Sequence, residues 1–239
     1  MQLYKTKTIK TNHFFSSRHE GVSKDPFNSL NLAYHVGDSP ASVMTNHKLL
    51  ASYSGYNLRK LVFMDQIHSN KVVVVDEELF EVPSCDALVT NMYDTPLMIM
   101  SADCAPVLFE DNVKGVVAVA HVGRAGAFGD IITNVIVTMQ ERFCSQSEDI
   151  KVAIGPRIGV CCYEVGDKEL NEARSLGYDF ACKINHLDID AIISYQLDKN
   201  GILEENREFL DICTKCSNSE FFSYRAEQRT GRQVGVIWI

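Results

Sequence analysis

Two histidines and a cysteine stand where apolar segments stop: His68 in Met64-Asp-Gln-Ile-His-Ser, Cys104 in Met100-Ser-Ala-Asp-Cys-Ala-Pro, and His121 after Val116-Val-Ala-Val-Ala. Sheet proteins carry sites at such strand ends, because the loops there can vary while the sheet holds them in place. Two imidazoles and one thiolate are the donor set of a catalytic zinc that keeps its fourth position open for water or substrate. The same donors serve a blue-copper centre. Without metal, Cys104 could instead act as a nucleophile with His121 or His68 as its base. Spacing does not choose among these, since 36 and 17 residues separate the three and no pair lies within one helical turn. Isolated strand-end histidines commonly do no more than hydrogen-bond, and isolated cysteines commonly just pack. A second pattern, Cys213-Thr-Lys-Cys216, is a CxxC pair. A structural zinc would need a second ligand pair at matching distance; none is evident, and adjacent Cys161 and Cys162 are not expected to supply it.

The elements that must position these residues can be read from periodicity. Uniformly apolar or β-branched runs predict strands over Lys71 to Val75, Pro96 to Met100, Val107 to Phe109, Gly115 to Ala120, Lys151 to Ile154 and Gln233 to Ile239. Such runs suit strands covered on both faces by helices or a second sheet. A helix is expected from Pro40 towards Tyr53, with Asp38 or Ser39 as its cap. Another follows Asp130, where Ile131, Ile132, Val135, Ile136 and Met139 mark one buried face. Two more are expected over Asp167 to Ser175 and Asp188 to Lys199, the latter stopped by Gly201. Strands and helices interleave without a strict βαβ rhythm, so the expected architecture is α+β: a layered, mixed β-sheet sandwiched by helices. The apolar terminal segment Gln233 to Ile239 is expected inside the main sheet.

Composition narrows the possible roles. The 239 residues are 46% hydrophobic and 23% charged, ordinary for a globular chain, and no repeat or Pro/Gly/Ser linker divides them, so one domain over 1–239 is expected. Met1 to Lys10 lacks the continuous apolar core of a secretory signal, and no apolar run approaches a membrane span; a cytoplasmic protein with no membrane partner is expected. The net charge of −8, with 23 scattered Lys and Arg, opposes nucleic-acid binding and favours small-molecule partners. The eight cysteines are expected to be reduced and mostly packing residues. Oligomeric state is left open.

Several motifs in order resemble one family. They are Ser101-Ala-Asp-Cys-Ala-Pro-Val, Val119-Ala-His-Val-Gly, Ile154-Gly-Pro-Arg-Ile-Gly-Val-Cys-Cys-Tyr-Glu-Val, Phe221-Phe-Ser-Tyr-Arg and Thr230-Gly-Arg. Gly21-Val-Ser, Ser29-Leu-Asn-Leu and His35-Val-Gly-Asp extend the match over essentially the whole chain. Together they resemble the YfiH family of laccase-domain proteins. The resemblance implies a single YfiH-like domain akin to Cys-His hydrolases, and purine nucleoside phosphorylase activity with accompanying adenosine deaminase activity. It also carries the older laccase name. The family's metal residues fall on His68, Cys104 and His121. Two departures stand out: Arg124-Ala125 occupies the place of the family's Trp-Arg, which removes the expected Arg and puts a guanidinium one residue earlier, and Glu20 replaces a glycine.

The resulting hypothesis is zinc on His68, Cys104 and His121, with copper as an alternative, activating or orienting an oxygen nucleophile. Asp103 would be a proton-transfer or supporting group, or no more than a strand-end hydrogen-bond acceptor. Gly123, Gly126 and Gly129 run into the helix after Asp130 and could present amides to an anion, or simply make tight turns. Arg18 and Arg124 are candidate anion partners, although an arginine is more often a solvated charge. Substrates would be adenosine, inosine or methylthioadenosine with phosphate. Deamination rests on the resemblance alone, because the His-x-Glu and Pro-Cys-x-x-Cys pattern of zinc deaminases is absent. A thiol or zinc amide hydrolase, such as a cell-wall precursor editor, uses the same residues. Copper polyphenol oxidation would need more imidazoles than these motifs provide, and a non-catalytic metal domain is the remaining alternative.

Overall fold

The computed structural model describes residues 1–76 and 81–239. In chain order, β1 (Leu3–Tyr4) and β2 (Asn12–Ser16) precede α1 (Pro40–Ser54). Next come β3 (Val72–Val74), β4 (Ala87–Thr90), β5 (Leu97–Ser101), β6 (Ala105–Asp111) and β7 (Val116–Val122), followed by α2 (Arg124–Phe128), α3 (Ile131–Phe143) and β8 (Ile150–Ile154). The order then runs α4 (Asp167–Ser175), β9 (Cys182–Lys183), β10 (His186–Leu187), α5 (Ile189–Lys199), β11 (Arg207–Phe209), α6 (Tyr224–Glu227) and β12 (Gln233–Trp238).

Two sheets carry the architecture. A six-stranded mixed sheet runs β11-β8-β6-β7-β4-β3, parallel at both outer pairs and antiparallel between. A four-stranded antiparallel sheet runs β1-β2-β12-β5. Strand alternation explains why they stack. On the six-stranded sheet, Ala87, Val89, Val107, Phe109, Ala118 and Ala120 turn towards α3 and α5, while Leu88, Leu108, Val117, Val119 and Ala153 face the second sheet. The second sheet answers with Phe15, Leu97, Ile99 and Ile237 and sends Phe14, Met98, Met100, Val234 and Val236 to the α1 side. Three apolar layers therefore sit between four structural ones, and the α+β expectation of a helix-covered layered sheet holds. Among the described residues, no helix is long and apolar enough to cross a membrane.

The expected long helices and the strongest strands form within a residue or two of their sequence-read bounds. The terminal strand differs in location. It joins the middle of the four-stranded sheet, between β2 and β5, because its alternate residues are apolar on both faces and need one layer for Ile237 and another for Val234 and Val236. α1 starts at Pro40 as expected, but Ser39 makes no side-chain cap; α1 ends at Gly55, whose φ of 85° suits glycine. Asp86, Ser101 to Cys104 and His121 all lie at one end of the stacked sheets, where the chain passes from β5 in one sheet to β6 in the other.

Each of Val234, Val236 and Ile237 is fully buried, a contribution of roughly 1.5–3 kcal/mol apiece. Their sum approaches the ~5–15 kcal/mol net stability of a domain. Deleting Gln233 to Ile239 should therefore abolish cooperative unfolding; a truncated chain that is soluble and gives a sharp urea transition would contradict the central placement of β12.

Candidate metal centre

Strand register brings the three predicted ligands together. Pro106 pairs with His121 and Ala105 with Val122, so continuing the ladder sets Cys104 opposite Gly123. A Cβ on Gly123 would lie 2.7 Å from Cys104 Sγ and 3.6 Å from His68 Cδ2, which is why this position has no side chain. On the other side of β7, Ala87 pairs with Ala120, which puts Asp86 beside His121; the His121 amide donates to the Asp86 carbonyl at 2.8 Å. His68 enters from the loop before β3. One ligand atom from each of His68, Cys104 and His121 lies within 4.8 Å of the others, and the two rings stand edge-on with centroids 4.9 Å apart.

Asp86 organises this set, and its role was not read from the sequence. Its carboxylate is buried and accepts the amides of Ile67 (3.3 Å), His68 (3.1 Å) and Ser69 (2.6 Å), together with the Ser69 hydroxyl (2.8 Å). His121 Nδ1 sits 3.0 Å from the same carboxylate, so Nε2 is the nitrogen left for the site. Three successive amides wrapping one carboxylate force the loop to turn, and His68 takes a left-handed φ of 57°. That conformation costs a non-glycine residue about 1–2 kcal/mol, which the charge-assisted bonds offset. The sequence signal was an aspartate placed directly before the apolar run Ala87 to Val89.

The charges fit a thiolate–imidazolium pair when no cation is present. Burial acts to raise the Cys104 thiol, but the His121 charge and hydrogen bonds from His121 and His68 outweigh it and bring it down to about 6. Burial would lower His121; the facing Cys104 charge and the Asp86 bond instead lift it to about 9. Burial would likewise raise Asp86, yet bonds from His121 and Ser69 hold it at about 2. A soft, anionic sulfur beside two ring nitrogens, one of them fixed by a carboxylate, matches what a zinc or copper ion requires.

The donors open onto a pocket of about 370 Å³, within the roughly 300–1,000 Å³ range of small-molecule sites. Its walls include Tyr163, Tyr224, Arg225, Arg232, His35 and Gln66. Gln66 is locked to Met100 by two bonds, Nε2 to the carbonyl at 2.8 Å and the amide to Oε1 at 2.9 Å. Arg232 Nη1 donates to the carbonyls of Thr230 and Gly231, and Arg225 stacks over Tyr163 while its Nη1 donates to the Glu164 carbonyl. Both arginines lie in motifs quoted above, Phe221-Phe-Ser-Tyr-Arg and Thr230-Gly-Arg, to which no site role was attached.

The other expected site residues behave differently. Arg18 is away from the pocket: it pairs with Glu227 at 2.8 Å, donates to the carbonyls of Asn28 and Asn218, and lies over Phe222. Its guanidinium is consumed in tying the N-terminal loop to the segment before β12. Arg124 turns outward to Glu172 of α4 at 2.8 Å and lies over Phe128. It touches only a small cleft behind Cys104, not the main pocket. The stretch through Gly123, Gly126 and Gly129 does not lead into one helix after Asp130. A separate five-residue helix, α2, forms first, and a Cβ on Gly126 would meet the His121 carbonyl at 3.1 Å. Gly123 and Gly126 are thus points of close approach. Asp103 does border the pocket, but its carboxylate is occupied by Thr214 Oγ1 (2.7 Å), Ser223 Oγ (2.7 Å) and the Arg225 amide (2.6 Å).

A family model described as multi-copper polyphenol oxidoreductase laccase matches residues 12–239. The chain belongs to that laccase-like YfiH family. Among its curated relatives, a purine nucleoside phosphorylase of Corynebacterium glutamicum is 36% identical over 94% of this chain and 93% of its own length. The purine nucleoside phosphorylase YlmD of Bacillus subtilis is 32% identical over 93% and 86% respectively. The crystal structure of the Bacillus licheniformis hypothetical protein YfiH superposes with a TM-score of 0.91 at 31% identity, covering 95% of this chain and 92% of that one. YlmD from Geobacillus stearothermophilus gives 0.86 at 30%, covering 95% and 90%.

One cysteine expectation for this YfiH-family chain is overturned. Cys161 and Cys162 do meet the CxxC pair: one sulfur each from Cys161, Cys162, Cys213 and Cys216 lies within 4.8 Å of the others. The pairs are separated by about fifty residues in sequence, and a parallel bridge between Arg157 and Cys213 joins them in space.

Two substitutions probe the centre. Asp86→Asn should weaken metal binding at this centre about 10- to 100-fold, the usual effect of losing a ligand's orienting carboxylate, read by chelator competition; unchanged affinity would show that Asp86 does not orient His121. Gly123→Ala should reduce bound metal and destabilise by about 1–3 kcal/mol through overpacking against Cys104, read by metal analysis and urea midpoint, and full metal retention would count against the register argument.

Proposed function

We propose that this protein is a zinc-dependent purine nucleoside phosphorylase, taking adenosine, inosine and methylthioadenosine with phosphate to free base and the (methylthio)ribose 1-phosphate. Adenosine deamination accompanies it in the same pocket. The observation that carries the reading is the convergence of His68, Cys104 and His121 on a pocket that also holds Arg225 and Arg232. The names of the relatives from Corynebacterium and Bacillus support it. Cytoplasm is the setting this reading assumes, since a reducing compartment keeps Cys104 a thiol.

Zinc held by His68, Cys104 and His121 would supply Lewis acidity with one open position. The protein's own groups supply the rest. Phosphorolysis brings an anion to a sugar carbon as the bond to the base breaks, so the site must hold phosphate and exclude water. Arg225 and Arg232 place two anchored guanidiniums on the wall for that anion. Tyr163, Tyr224, Met64, Met100 and Ile158 give the apolar and aromatic surface a purine needs. Asp103 holds Thr214, Ser223 and Arg225 around the turn that carries Cys104, and Asp86 fixes His121. Arg18, Arg124 and the glycines take no part in substrate contact in this reading. A coupled multicopper oxidase is not favoured, because among the described residues only two imidazoles join Cys104 in the cluster.

One observation favours a second reading, a thiol hydrolase acting on an amide. Cys104, His121 and Asp86 line up in space as nucleophile, base and orienting carboxylate, with the thiol drawn down to about 6.

The deciding experiment incubates zinc-loaded protein with each nucleoside, with and without phosphate. Phosphate-dependent base release, reduced by on the order of 100-fold or more in Cys104→Ala, is the expected outcome. Silence on every nucleoside, with rapid alkylation of Cys104 in the zinc-loaded protein, would replace the phosphorylase reading by the hydrolase.

A further inference from the structure

We propose that Cys161, Cys162, Cys213 and Cys216 form a second metal site, a closed tetrathiolate for zinc, distinct from the His68, Cys104 and His121 centre. All four sulfurs converge within 4.8 Å. Cys216 Sγ lies 3.7 Å from Cys161 Sγ and 3.3 Å from Cys162 Sγ. A tetrahedral ion with Zn–S near 2.3 Å sets its sulfurs about 3.8 Å apart, close to these separations. All four are free thiols in the structure, not joined in disulfides. Four thiols around one point are the donor set of a structural zinc, and with four protein ligands no position remains for substrate.

The backbone around them is built to aim the sulfurs. The Cys162 and Tyr163 amides both donate to the Gly159 carbonyl, at 2.9 and 3.0 Å, closing a turn that brings Cys161 and Cys162 round together. The Ser217 amide donates to the Cys213 carbonyl at 2.9 Å and closes the turn that spans the CxxC pair. The Gly159 amide donates to Cys213 Sγ at 3.3 Å, an N–H to sulfur bond that favours the thiolate a metal takes. Between the turns, the Arg157 amide donates to the Ile212 carbonyl and the Thr214 amide to the Arg157 carbonyl. A Cβ on Gly159 would sit 3.4 Å from Cys161 Sγ and 3.6 Å from Cys213 Cβ, so glycine leaves room for the sulfurs to meet.

This second site clips two loops that carry pocket residues. One bears Ile158 and Tyr163 of the pocket wall; the other bears Thr214, whose hydroxyl binds Asp103 next to Cys104. A bound zinc would join these loops where no helix or long strand does, and so hold the wall against the metal-binding turn. The inference stands whether the first centre performs phosphorolysis or hydrolysis.

The test counts metal in full-length protein prepared with reductant and reconstituted with zinc. Two zinc ions per chain are expected, falling to one in the Cys213→Ser/Cys216→Ser double variant and to one, by loss of the other ion, in Cys104→Ala. Should the double variant not fold, wild-type protein decides the matter by alkylation and mass spectrometry. Cys161, Cys162, Cys213 and Cys216 should resist labelling when zinc-loaded and label together after chelation. One zinc ion in the wild type with these four thiols freely alkylated, or a disulfide among them in the freshly prepared protein, would overturn the site.

Discussion

A buried carboxylate cannot stay charged without partners, and in this protein the partners of Asp86 define the site. Its oxygens gather three consecutive amides of the 67–69 loop, the Ser69 hydroxyl and the His121 ring. Burying such a charge unpaired would be prohibitive, so the loop must wrap it and His121 must present its other nitrogen outward. The backbone of His68, the tautomer of His121 and their mutual distance follow from one anion. Cys104 is then held against the pair by the absence of a side chain at Gly123.

The layered fold makes this arrangement possible. The β5 to β6 connection crosses from one sheet to the other in the three residues Ala102 to Cys104, and Asp103 takes a φ of 94° there. Three bonds to the Asp103 carboxylate, from Thr214, Ser223 and Arg225, hold the turn. Those donors come from the segment between β11 and β12, so the C-terminal part of the chain both completes the second sheet and closes the pocket. A mixed sheet with a second sheet on one face and helices on the other gives the crossing a rigid base, and places the donors of a small-molecule site at its rim.

The two cysteine clusters illustrate how coordination number separates roles. His68, Cys104 and His121 are three donors on the edge of a pocket, with room for a fourth group from solution. Cys161, Cys162, Cys213 and Cys216 are four donors on turns, their sulfurs within 4.8 Å of one another. The first geometry suits chemistry and the second suits cross-linking. The Arg157–Cys213 bridge joins the two halves of the second cluster, one on the loop that lends Ile158 and Tyr163 to the pocket wall and one on the loop whose Thr214 binds Asp103.

Local patterns read from the sequence alone located the long helices and the strongest strands, because burial leaves a local mark there, a helical period over Ile131 to Met139 and an unbroken apolar run over Val116 to Val122. Residue chemistry singled out His68, Cys104 and His121, because such types at the ends of apolar runs are few. Short strands such as β4 and β11 escaped notice, since three or four residues carry too little period to register. The roles of Asp86, Arg225 and Arg232, the removal of Arg18 and Arg124 from the pocket, and the meeting of Cys161 and Cys162 with Cys213 and Cys216 were decided only in three dimensions. Each depends on strand register and loop closure between residues far apart in the chain. Hydrogen bonding and packing set those terms across the fold, and no local run of residues encodes them.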